Sequence, residues 1–288
     1  MEEPDRRIAL DAVRDALDRD MSALDGPADL IAGSFAVEGL IGRGSCFEIV
    51  RLRHRDLGSF HALKRPVFEA RTDPLLRRLL MDEARRQAAI VHPACLPLRA
   101  LLRLGDGRPG LLTDFVDAPT LARLLVRRRL APAEIAALGE RIVHALRAVH
   151  DAGLVHGDVT PANLFVPNGD PAATILFDFG LSRPLGSALP EDVEIAGTPS
   201  FAAPETRDHG CPAAASADLY GLGRVLLASL SEAPPGALVQ LAEALTSPVP
   251  SDRPRLDETL ERLQECGAAA TDERKSVSDP ETNKPRHP

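Results

Sequence analysis

Polar residues whose types and spacing suit a chemical reaction cluster in one stretch, residues 154–180. Asp158 and Asn163 lie five residues apart in a short polar loop, and Asp178 follows the apolar run 175–177. Phosphoryl transfer uses such a set, in which one carboxylate accepts a hydroxyl proton while an amide and a second carboxylate hold a divalent cation against nucleotide phosphates. The stretch therefore predicts a site for phosphate transfer.

A single lysine in the N-terminal half of the chain supplies a charge that phosphates need. Lys64 ends a predicted strand at 60–64, and nearly all other basic residues are arginines. A compact ammonium fits a tight contact with two phosphates better than a forked guanidinium does. The sequence therefore favours Lys64 as a phosphate ligand.

A glycine turn precedes this lysine. Gly42 and Gly44 lie between predicted antiparallel strands at 35–41 and 48–53. Because glycine has no side chain, such a turn lets backbone N–H groups approach phosphate oxygens. A plain hairpin has the same pattern, so the turn gains its weight from Lys64 at the end of the next strand.

Two predicted helices and a strand lie around these residues. Apolar residues at helical spacing predict helices at 75–90, which carries Glu83, and at 132–151. Gly153 closes the second helix as a C-terminal cap, directly before the polar loop. A short apolar strand is predicted at 111–116.

The motifs together resemble those of the bacterial eukaryotic-like (Hanks-type) Ser/Thr protein kinases, from about residue 35 to residue 266. GRG resembles the glycine-rich loop, HALK the third-strand lysine motif, and HGDVTPAN the catalytic loop, while DFG is intact. GTPSFAAPE resembles the end of the activation segment, DLYGLG the start of helix F, and SDRP supplies Arg253 to pair with Glu205. The resemblance implies an α+β, two-lobed protein-kinase-like fold, with a small antiparallel β lobe containing helix C and a larger, mostly helical lobe.

The resemblance also implies a role for each matching residue. Lys64 would hold the α- and β-phosphates of ATP, and Glu83 would position Lys64. Asp158 would be the catalytic base, and Asn163 and Asp178 would ligate Mg²⁺ or Mn²⁺. The other residues expected to bind ATP are Ile41, Gly42, Gly44, Ile49, Ala62, Thr113, Asp114, Val116 and Phe165.

Four positions depart from the family pattern. Phe47 replaces the third glycine of the loop, where a bulky side chain is expected to limit the approach to phosphate. Gly157 replaces the arginine that pairs with a phosphorylated activation segment, so activity is expected not to depend on that phosphorylation. Thr160 replaces a lysine that contacts the transferred phosphate, which is expected to lower the rate. Gln87 lies one turn after Glu83, where an apolar packing residue is expected.

The predicted domain organisation has an extension at each end of the kinase domain. Residues 1–33 hold nine acidic residues and four arginines, and an apolar stripe within residues 5–24 predicts a helix that docks on the small lobe near helix C or on a partner. The kinase domain is predicted at 34–266, with its N-lobe at about 34–114 and its C-lobe at about 117–266.

The C-terminal part of the kinase domain is short. A helix at 234–245 matches helix H, which leaves a reduced helix G region and weakens the expected recognition of protein substrates. The polar tail at 267–288 has little apolar content and is predicted to be disordered.

Composition argues against several classes of function. The 288-residue chain has a formal net charge of −8 and no basic stripe, which argues against a nucleic-acid partner. No apolar run is long enough to span a membrane, and the N-terminus lacks the pattern of a secretory signal. The four cysteines are far apart and contain no CxxC pair. We therefore expect a cytoplasmic protein with no membrane partner.

Three functions remain open from the sequence. The first is an active Ser/Thr protein kinase with unknown protein substrates, which the complete set of matched catalytic residues favours. The second is a pseudokinase that binds nucleotide and acts as a scaffold or switch, which Phe47, Thr160 and the short helix G region favour. The third is a small-molecule phosphotransferase, because HGDxxxxN also resembles antibiotic and choline kinases. The GTPSFAAPE, DLYGLG and SDRP motifs argue against the third.

Overall fold

The computed structural model describes residues 30–188, 198–207, 210–231 and 234–278, and for 271–278 it describes the backbone alone. The chain divides into two compact units, with the boundary between Asp117 and Ala118. The helix predicted within residues 5–24 lies outside the described residues.

A six-stranded antiparallel sheet forms most of the N-terminal unit, in the order β1-β2-β3-β4-β6-β5. Its strands are β1 (Leu30–Ile31), β2 (Phe35–Arg43), β3 (Phe47–His54), β4 (Phe60–Pro66), β5 (Leu98–Arg103) and β6 (Pro109–Asp114). Alternate residues of a strand point to opposite faces, so Val50, Leu52 and Leu63 enter one buried cluster of the sheet. The residues of β3 and β4 that alternate with these, such as Ile49 and Lys64, point to the other face.

Helix α1 (Pro74–Ala88) packs against the sheet face that carries Lys64. It begins where Asp73 Oδ1 accepts a hydrogen bond from Leu75 N at 2.8 Å, and Pro74 suits the first helical position because its missing N–H leaves no helical bond unmade. Its contact with the sheet is a buried cluster of Leu80, Ala84, Leu101 and Leu111.

Five α-helices form most of the described part of the C-terminal unit: α2 (Leu121–Arg127), α3 (Pro132–Asp151), α4 (Ala215–Ser229), α5 (Gly236–Leu245) and α6 (Leu256–Ser278). Helix α3 is the central one and packs along α6 and α4. Gly139 permits this close packing, because a Cβ there would lie 2.7 Å from Leu263 Cδ2. Helix α3 has the predicted bounds, since its apolar periodicity is regular and Gly153 (φ +74°) follows its end.

Two short antiparallel strand pairs hold the loops of the C-terminal unit. Strand β7 (Leu154–Val155) pairs with β10 (Arg183–Pro184), and β8 (Leu164–Phe165) pairs with β9 (Ile175–Leu176). The polar loop at 156–163 lies between β7 and β8, so both of its ends are fixed by strand pairing.

The predicted α+β class is confirmed, with a small antiparallel sheet unit and a larger helical unit. The reduced helix G region is also confirmed within the described residues, because α5 follows α4 after residues 230–235 only. Gly223 brings these two helices together, since a Cβ at this position would lie 2.7 Å from Leu245 Cβ.

Two predicted boundaries differ from the structure. Leu30 and Ile31, assigned to the N-terminal extension, form β1 because Ile31 packs on the sheet core and the strand pairs with β2. Helix α6 continues to Ser278, so the prediction of disorder from residue 267 is wrong as far as that residue. Cys266 and Ala270 are buried on α6, and alanines at 268–270 favour helix.

Candidate active site

Lys64 and Glu83 form a part-buried ion pair in the N-terminal unit. Lys64 Nζ donates to both carboxylate oxygens of Glu83 at 2.9 Å, and Glu83 is 4% exposed. Strand β4 presents Lys64 to the face on which α1 packs, and Leu80 and Ala84 fix the rotation of α1 that buries Glu83. The predicted pairing of these residues is therefore present, with the lysine charge held at one place.

Gln87 lies one turn after Glu83 and is buried as well. Its Nε2 donates to the backbone oxygen of Leu96 at 2.9 Å, and the residue is 3% exposed. A buried amide with a partner can replace an apolar contact because its polar atoms are satisfied. The expected apolar contact is thus replaced by a hydrogen bond, and the Lys64 pairing shows that the predicted helix register is correct.

Several residues expected to bind adenine share one face of the sheet with Lys64. The register places Ile49 opposite Lys64 on β3 and β4, and Ala62 opposite Thr113 on β4 and β6. Residues directly opposite each other in an antiparallel pair point to the same face. Ile41, near the end of β2, is 47% exposed. The face offers apolar contact beside a fixed ammonium.

Asp114 and Val116 lie where the N-terminal unit ends. Asp114 closes β6, and its carboxylate accepts two hydrogen bonds from Arg99, from Nε at 2.8 Å and Nη2 at 2.6 Å. The hydrogen bond to Asp114 raises the pKa of Arg99. The next residue is also fixed, since Phe115 N donates to Phe60 O at 3.2 Å. This segment can therefore offer nucleotide its backbone, whereas the Asp114 side chain is already engaged.

The glycine turn leaves open space around its backbone. A Cβ on Gly42 would meet no atom of the described residues within 4 Å, and one on Gly44 would meet only Phe47 O at 3.5 Å. Phe47 is half-buried and packs against the α1 cluster. Its ring is directed to α1 and Lys64 and does not occupy the space around the two glycines.

Asp158 and Asn163 are joined directly in the polar loop of the C-terminal unit. Asn163 Nδ2 donates to Asp158 Oδ2 at 2.6 Å and to Asp158 O at 3.0 Å. Asp158 Oδ1 lies 3.4 Å from Thr198 N. The carboxylate is thereby oriented at both oxygens, and the bonds of the Asn163 amide nitrogen leave its Oδ1 directed elsewhere.

Asp218, near the start of α4, anchors this loop from beneath. Its carboxylate is 1% exposed and accepts from the backbone N–H groups of His156 and Gly157 and from His150 Nε2, each at 2.8 Å. Three donors satisfy a charge that would otherwise be costly to bury. The DLYGLG motif did not predict this role of Asp218, for which the sequence signal is a single acid within the apolar helix α4.

His156 links the loop to the residues that follow β9. It is fully buried, its Nδ1 accepts from Asp158 N at 3.2 Å, and its ring contacts Phe179 edge-on at 5.0 Å. Asp178 precedes Phe179, has a left-handed backbone (φ +64°), and accepts from Gly180 N at 3.3 Å. Burial of Phe179 with His156 therefore leaves the neighbouring Asp178 side chain at the surface of the unit.

Phe165 lies on β8, next to the polar loop. Its ring stacks on Phe177 with centroids 3.9 Å apart, and the two rings are nearly parallel, at 15°. Phe177 N also donates to Asn163 O at 3.0 Å. The stacked rings tie the segment that carries Asp178 to the segment that carries Asn163.

Gly157 occupies a position that no other residue fits without strain. Its φ is +81°, and a Cβ there would lie 2.8 Å from the backbone oxygen of Leu181. The loop and the activation segment thus touch backbone to backbone at the position of the missing arginine. Ser182, one of two hydroxyls between Gly180 and Gly197, is fully buried and donates to Phe179 O at 2.8 Å.

Thr160 is buried beside the loop. It is 1% exposed, and its Oγ1 has no hydrogen-bond partner among the residues that the structure describes. Its backbone oxygen accepts from Asn163 N at 3.0 Å. Thr160 therefore stabilises the loop through its backbone. Its short, buried side chain cannot make the contact with the transferred phosphate that a lysine would make.

Arg253 and Glu205 form the predicted ion pair. The two hydrogen bonds are 2.6 and 2.8 Å long, and Arg253 also donates to the backbone oxygens of Ser216 and Ser247. The arginine side chain is fully buried. The pair joins the end of the activation segment to α4 and to the loop before α6.

The residues present suit a divalent cation. Hard cations such as Mg²⁺ prefer carboxylate and amide oxygens, and Asp178 and the Asn163 Oδ1 supply one of each. The Phe165–Phe177 stack and the bond from Phe177 N to Asn163 O hold the two segments next to each other. The described residues contain no cluster of three His, Cys, Asp or Glu that could hold a metal by itself.

Comparison with known proteins agrees with this arrangement. A family model for the protein kinase domain matches residues 35–261, most of the chain. The chain belongs to the protein kinase family. Serine/threonine-protein kinase PkaA of Streptomyces coelicolor is 30% identical over 219 residues, which cover 71% of this chain and 40% of PkaA.

Other protein kinases of this kind are similar to the chain. Serine/threonine-protein kinase PknK of Mycobacterium tuberculosis is 31% identical over 209 residues, 71% of this chain and 18% of PknK. Serine/threonine-protein kinase PknH of Mycobacterium bovis is 29% identical over 267 residues, 89% of this chain and 44% of PknH. The match to these bacterial relatives confirms the predicted family and spans less than half of each relative's length. Within the described residues, no helix is both long and apolar enough to cross a bilayer.

Proposed function

We propose that the chain is an ATP-dependent protein kinase that transfers the γ-phosphate to Ser or Thr hydroxyls of proteins. The observation that carries the proposal is the Lys64–Glu83 ion pair, formed with both bonds at 2.9 Å. The oriented Asp158 carboxylate supports it from the C-terminal unit. The family match and the names of the relatives agree with this activity.

Each side chain that matches a family motif has one task in the proposed reaction. Lys64 contacts the α- and β-phosphates, and Glu83 prevents its ammonium from moving. Asp158 orients the substrate hydroxyl and accepts its proton as the new P–O bond forms and the bond from the γ-phosphate to ADP breaks. Asn163 and Asp178 would hold Mg²⁺ or Mn²⁺, which neutralises phosphate charge when bound.

Nucleotide contacts in the N-terminal unit follow from the sheet face that carries Lys64. Ile49 and Ala62 offer apolar contact for adenine, and Thr113 lies opposite Ala62 at the back of that face. Gly42 and Gly44 have the open backbone that phosphate oxygens need. Ile41, Asp114, Val116 and Phe165 complete the proposed set of ATP-binding residues.

A pseudokinase is the second candidate, and one observation favours it. Thr160 is buried, so its hydroxyl does not supply the contact that a lysine would make with the transferred phosphate. A third candidate, transfer to a small molecule, fits the loop motif and is disfavoured by the Arg253–Glu205 pair, which belongs to the activation segment. The four free cysteines and the acidic net charge are consistent with a cytoplasmic protein that does not bind nucleic acid.

One experiment separates these three functions. The chain is incubated with labelled ATP and Mg²⁺, with a generic protein substrate or with small alcohols, beside Asp158→Asn and the surface control Asp257→Asn. Label on protein in the wild type and in Asp257→Asn, but not in Asp158→Asn, supports the kinase. Label only on small alcohols supports the third function, and ATP binding without transfer to any acceptor supports the pseudokinase.

We further propose that residues 5–24 dock across α1 and the β5–β6 hairpin and place one apolar side chain in a shallow groove between them. The groove has a volume of about 40 Å³ and apolar walls that include Met81 and Leu101, and Arg77 and Arg103 lie along it. Residues 5–24 carry five acids, which can pair with Arg77 and Arg103, and four arginines, so the segment is nearly neutral and its apolar stripe supplies most of the expected contact. The segment ends five residues before β1 and, if helical, is about 30 Å long, enough to cross the sheet.

The docking proposal has a matched test. Deletion of residues 1–28 is expected to lower the melting temperature by a few degrees, and Arg77→Glu with Arg103→Glu is expected to do so only when the segment is present. Arg123→Glu, an exposed arginine on α2, is the control. If deletion changes neither melting temperature nor activity, the proposal is wrong.

A further inference from the structure

Phe47 stands where the family pattern has the third glycine, and its ring faces the proposed phosphate ligand. Lys64 Nζ lies 5.5 Å from the centroid of the Phe47 ring. This distance is within the range of a cation–π interaction, in which the negative face of a ring attracts an ammonium. A glycine at this position would make no such contact.

The same ring packs on the helix that carries Glu83. Phe47 joins the cluster of Leu80, Ala84, Leu101 and Leu111 on the buried side of α1. Ala84 directly follows Glu83 in the chain, so Phe47 touches both the helix that supplies the carboxylate and the lysine that it binds. One side chain therefore links three parts of the N-terminal unit, which are the turn, Lys64 and α1.

The backbone around Phe47 is fixed as well. Phe47 O accepts from Gly44 N at 2.8 Å, which closes the glycine turn, and Cys46 O accepts from Val67 N at 2.9 Å. The next residue points to the opposite face, where Glu48 is buried and accepts from Arg65 Nε at 2.8 Å. The start of β3 is thus held on both faces of the sheet.

From these contacts we propose that Phe47 is a positioning residue, which fastens the glycine turn to Lys64 and α1 so that the ion pair and the turn are set before nucleotide binds. The proposal rests on the proposed function, in which Lys64 contacts phosphate. It reverses the expectation from the sequence alone. The sequence alone predicts that a bulky residue in the glycine-rich loop weakens ATP binding. A Phe47 ring that is turned toward α1 strengthens ATP binding instead.

The two views predict opposite effects of restoring the family residue. We expect Phe47→Gly to weaken ATP binding about five- to thirtyfold, because it removes the ring contact and adds backbone freedom to the turn. Relief of a steric obstacle would instead strengthen binding. Phe47→Tyr, which keeps the ring, is expected to bind ATP as the wild type does. Affinity is measured by titration with a fluorescent ATP analogue.

A second readout tests the contact with Lys64 without requiring catalysis or nucleotide. The chain has two other lysines, Lys275 and Lys284, which serve as internal references for acetylation by acetic anhydride, read by peptide mass spectrometry. Phe47→Leu keeps apolar packing and removes the ring. We expect Lys64 to react about two- to fivefold faster in this variant, because the ring favours the unreactive ammonium, and at the wild-type rate in Phe47→Tyr.

The outcomes are distinguishable from failure of the proposed function. If the wild type binds no ATP, the proposed function fails, and the labelling rates still decide whether Phe47 holds Lys64. Equal Lys64 labelling in the wild type and Phe47→Leu, or ATP binding that is unchanged or tighter in Phe47→Gly, would overturn the proposal. Melting temperatures of all variants show that each one is folded.

Discussion

The two units position their proposed catalytic residues by different means. In the N-terminal unit, Lys64 and Glu83 are side chains on a strand and a helix, and their ion pair depends on how α1 packs against the sheet. In the C-terminal unit, Asp158 lies in a loop whose backbone is held by the buried Asp218 carboxylate. Packing therefore positions the proposed catalytic residues of the N-terminal unit, and buried hydrogen bonds position those of the C-terminal unit.

This difference predicts how substitutions in each unit affect stability and activity. Removal of a buried carboxylate that accepts from three donors breaks all three hydrogen bonds at once. Each donor is left without a partner, which lowers the free energy of unfolding. A packed helix with one ion pair tolerates the loss of a contact better, since the apolar cluster remains. We therefore expect substitutions of Asp218 and Gly157, which hold the backbone of the C-terminal loop, to affect stability, and those of Lys64 and Glu83 to affect mainly activity.

The largest effect on stability is expected from Asp218→Ala. It removes the acceptor of two backbone N–H groups and of His150, all buried, and should destabilise the C-terminal unit by about 3–5 kcal/mol. Thermal unfolding measures the change. Asp257→Ala, at an exposed ion pair with Arg147, is the control and should change stability by less than about 0.5 kcal/mol. Similar effects of the two variants would remove the distinction between the units.

A smaller effect is expected from Gly157→Ala. The backbone of Gly157 is left-handed, and a Cβ added there would lie 2.8 Å from Leu181 O. Because both features oppose a side chain, we expect the free energy of unfolding to fall by about 2–3 kcal/mol. Gly186→Ala is the matched control, because Gly186 has φ +78° and open space among the described residues, and it should lose only about 1 kcal/mol. Equal losses in chemical denaturation would show that the Leu181 contact does not matter.

Glu83→Gln is expected to change activity more than stability. The amide keeps the shape and one of the two acceptors of Lys64, so the loss of stability should be about 1.5–2 kcal/mol. Phosphate transfer should fall tenfold or more, because the ammonium is no longer held by a charge. Initial rates at saturating ATP and melting temperatures are compared with those of Asp82→Asn, a half-buried acid on the same helix. Loss of folding in Glu83→Gln would contradict this account of the N-terminal unit.

The smallest effect is expected from Thr160→Val. Its Oγ1 is buried without a partner among the described residues, so an isosteric apolar side chain should leave stability unchanged or raise it by up to about 1 kcal/mol. Transfer rates should stay within about twofold of the wild type. A large loss of activity with unchanged stability would show that the hydroxyl takes part in the reaction.

Regular spacing of apolar residues, together with capping residues such as Gly153, made much of the fold predictable. Helix α3 was predicted with its observed bounds because its apolar face is continuous from Pro132 to Asp151. Strand β5 was not predicted, since its sequence LRALLR lacks the alternation typical of a strand. Residues 267–288 were predicted to be disordered from their polar composition, whereas α6 continues to Ser278 and buries Cys266 and Ala270.

For the candidate site, residue types were predictable and environments were not. Spacing and the family resemblance pointed to Lys64, Glu83, Asp158 and Asn163, and within each unit the structure brings the expected partners together. The sequence does not show which way the Phe47 ring turns, because this depends on the space beside α1. It also does not show that Asp218 meets three donors, since they come from 61–68 residues earlier in the chain.

The most direct test of the central claim is intact mass after incubation with ATP and Mg²⁺. Wild type and Asp158→Asn are compared, with added casein as a second acceptor because the activation segment offers few hydroxyls. The account predicts added phosphate on the chain or on casein with the wild type and none with Asp158→Asn. No added phosphate on either protein with the wild type, or equal amounts with both forms, would contradict the proposed kinase activity.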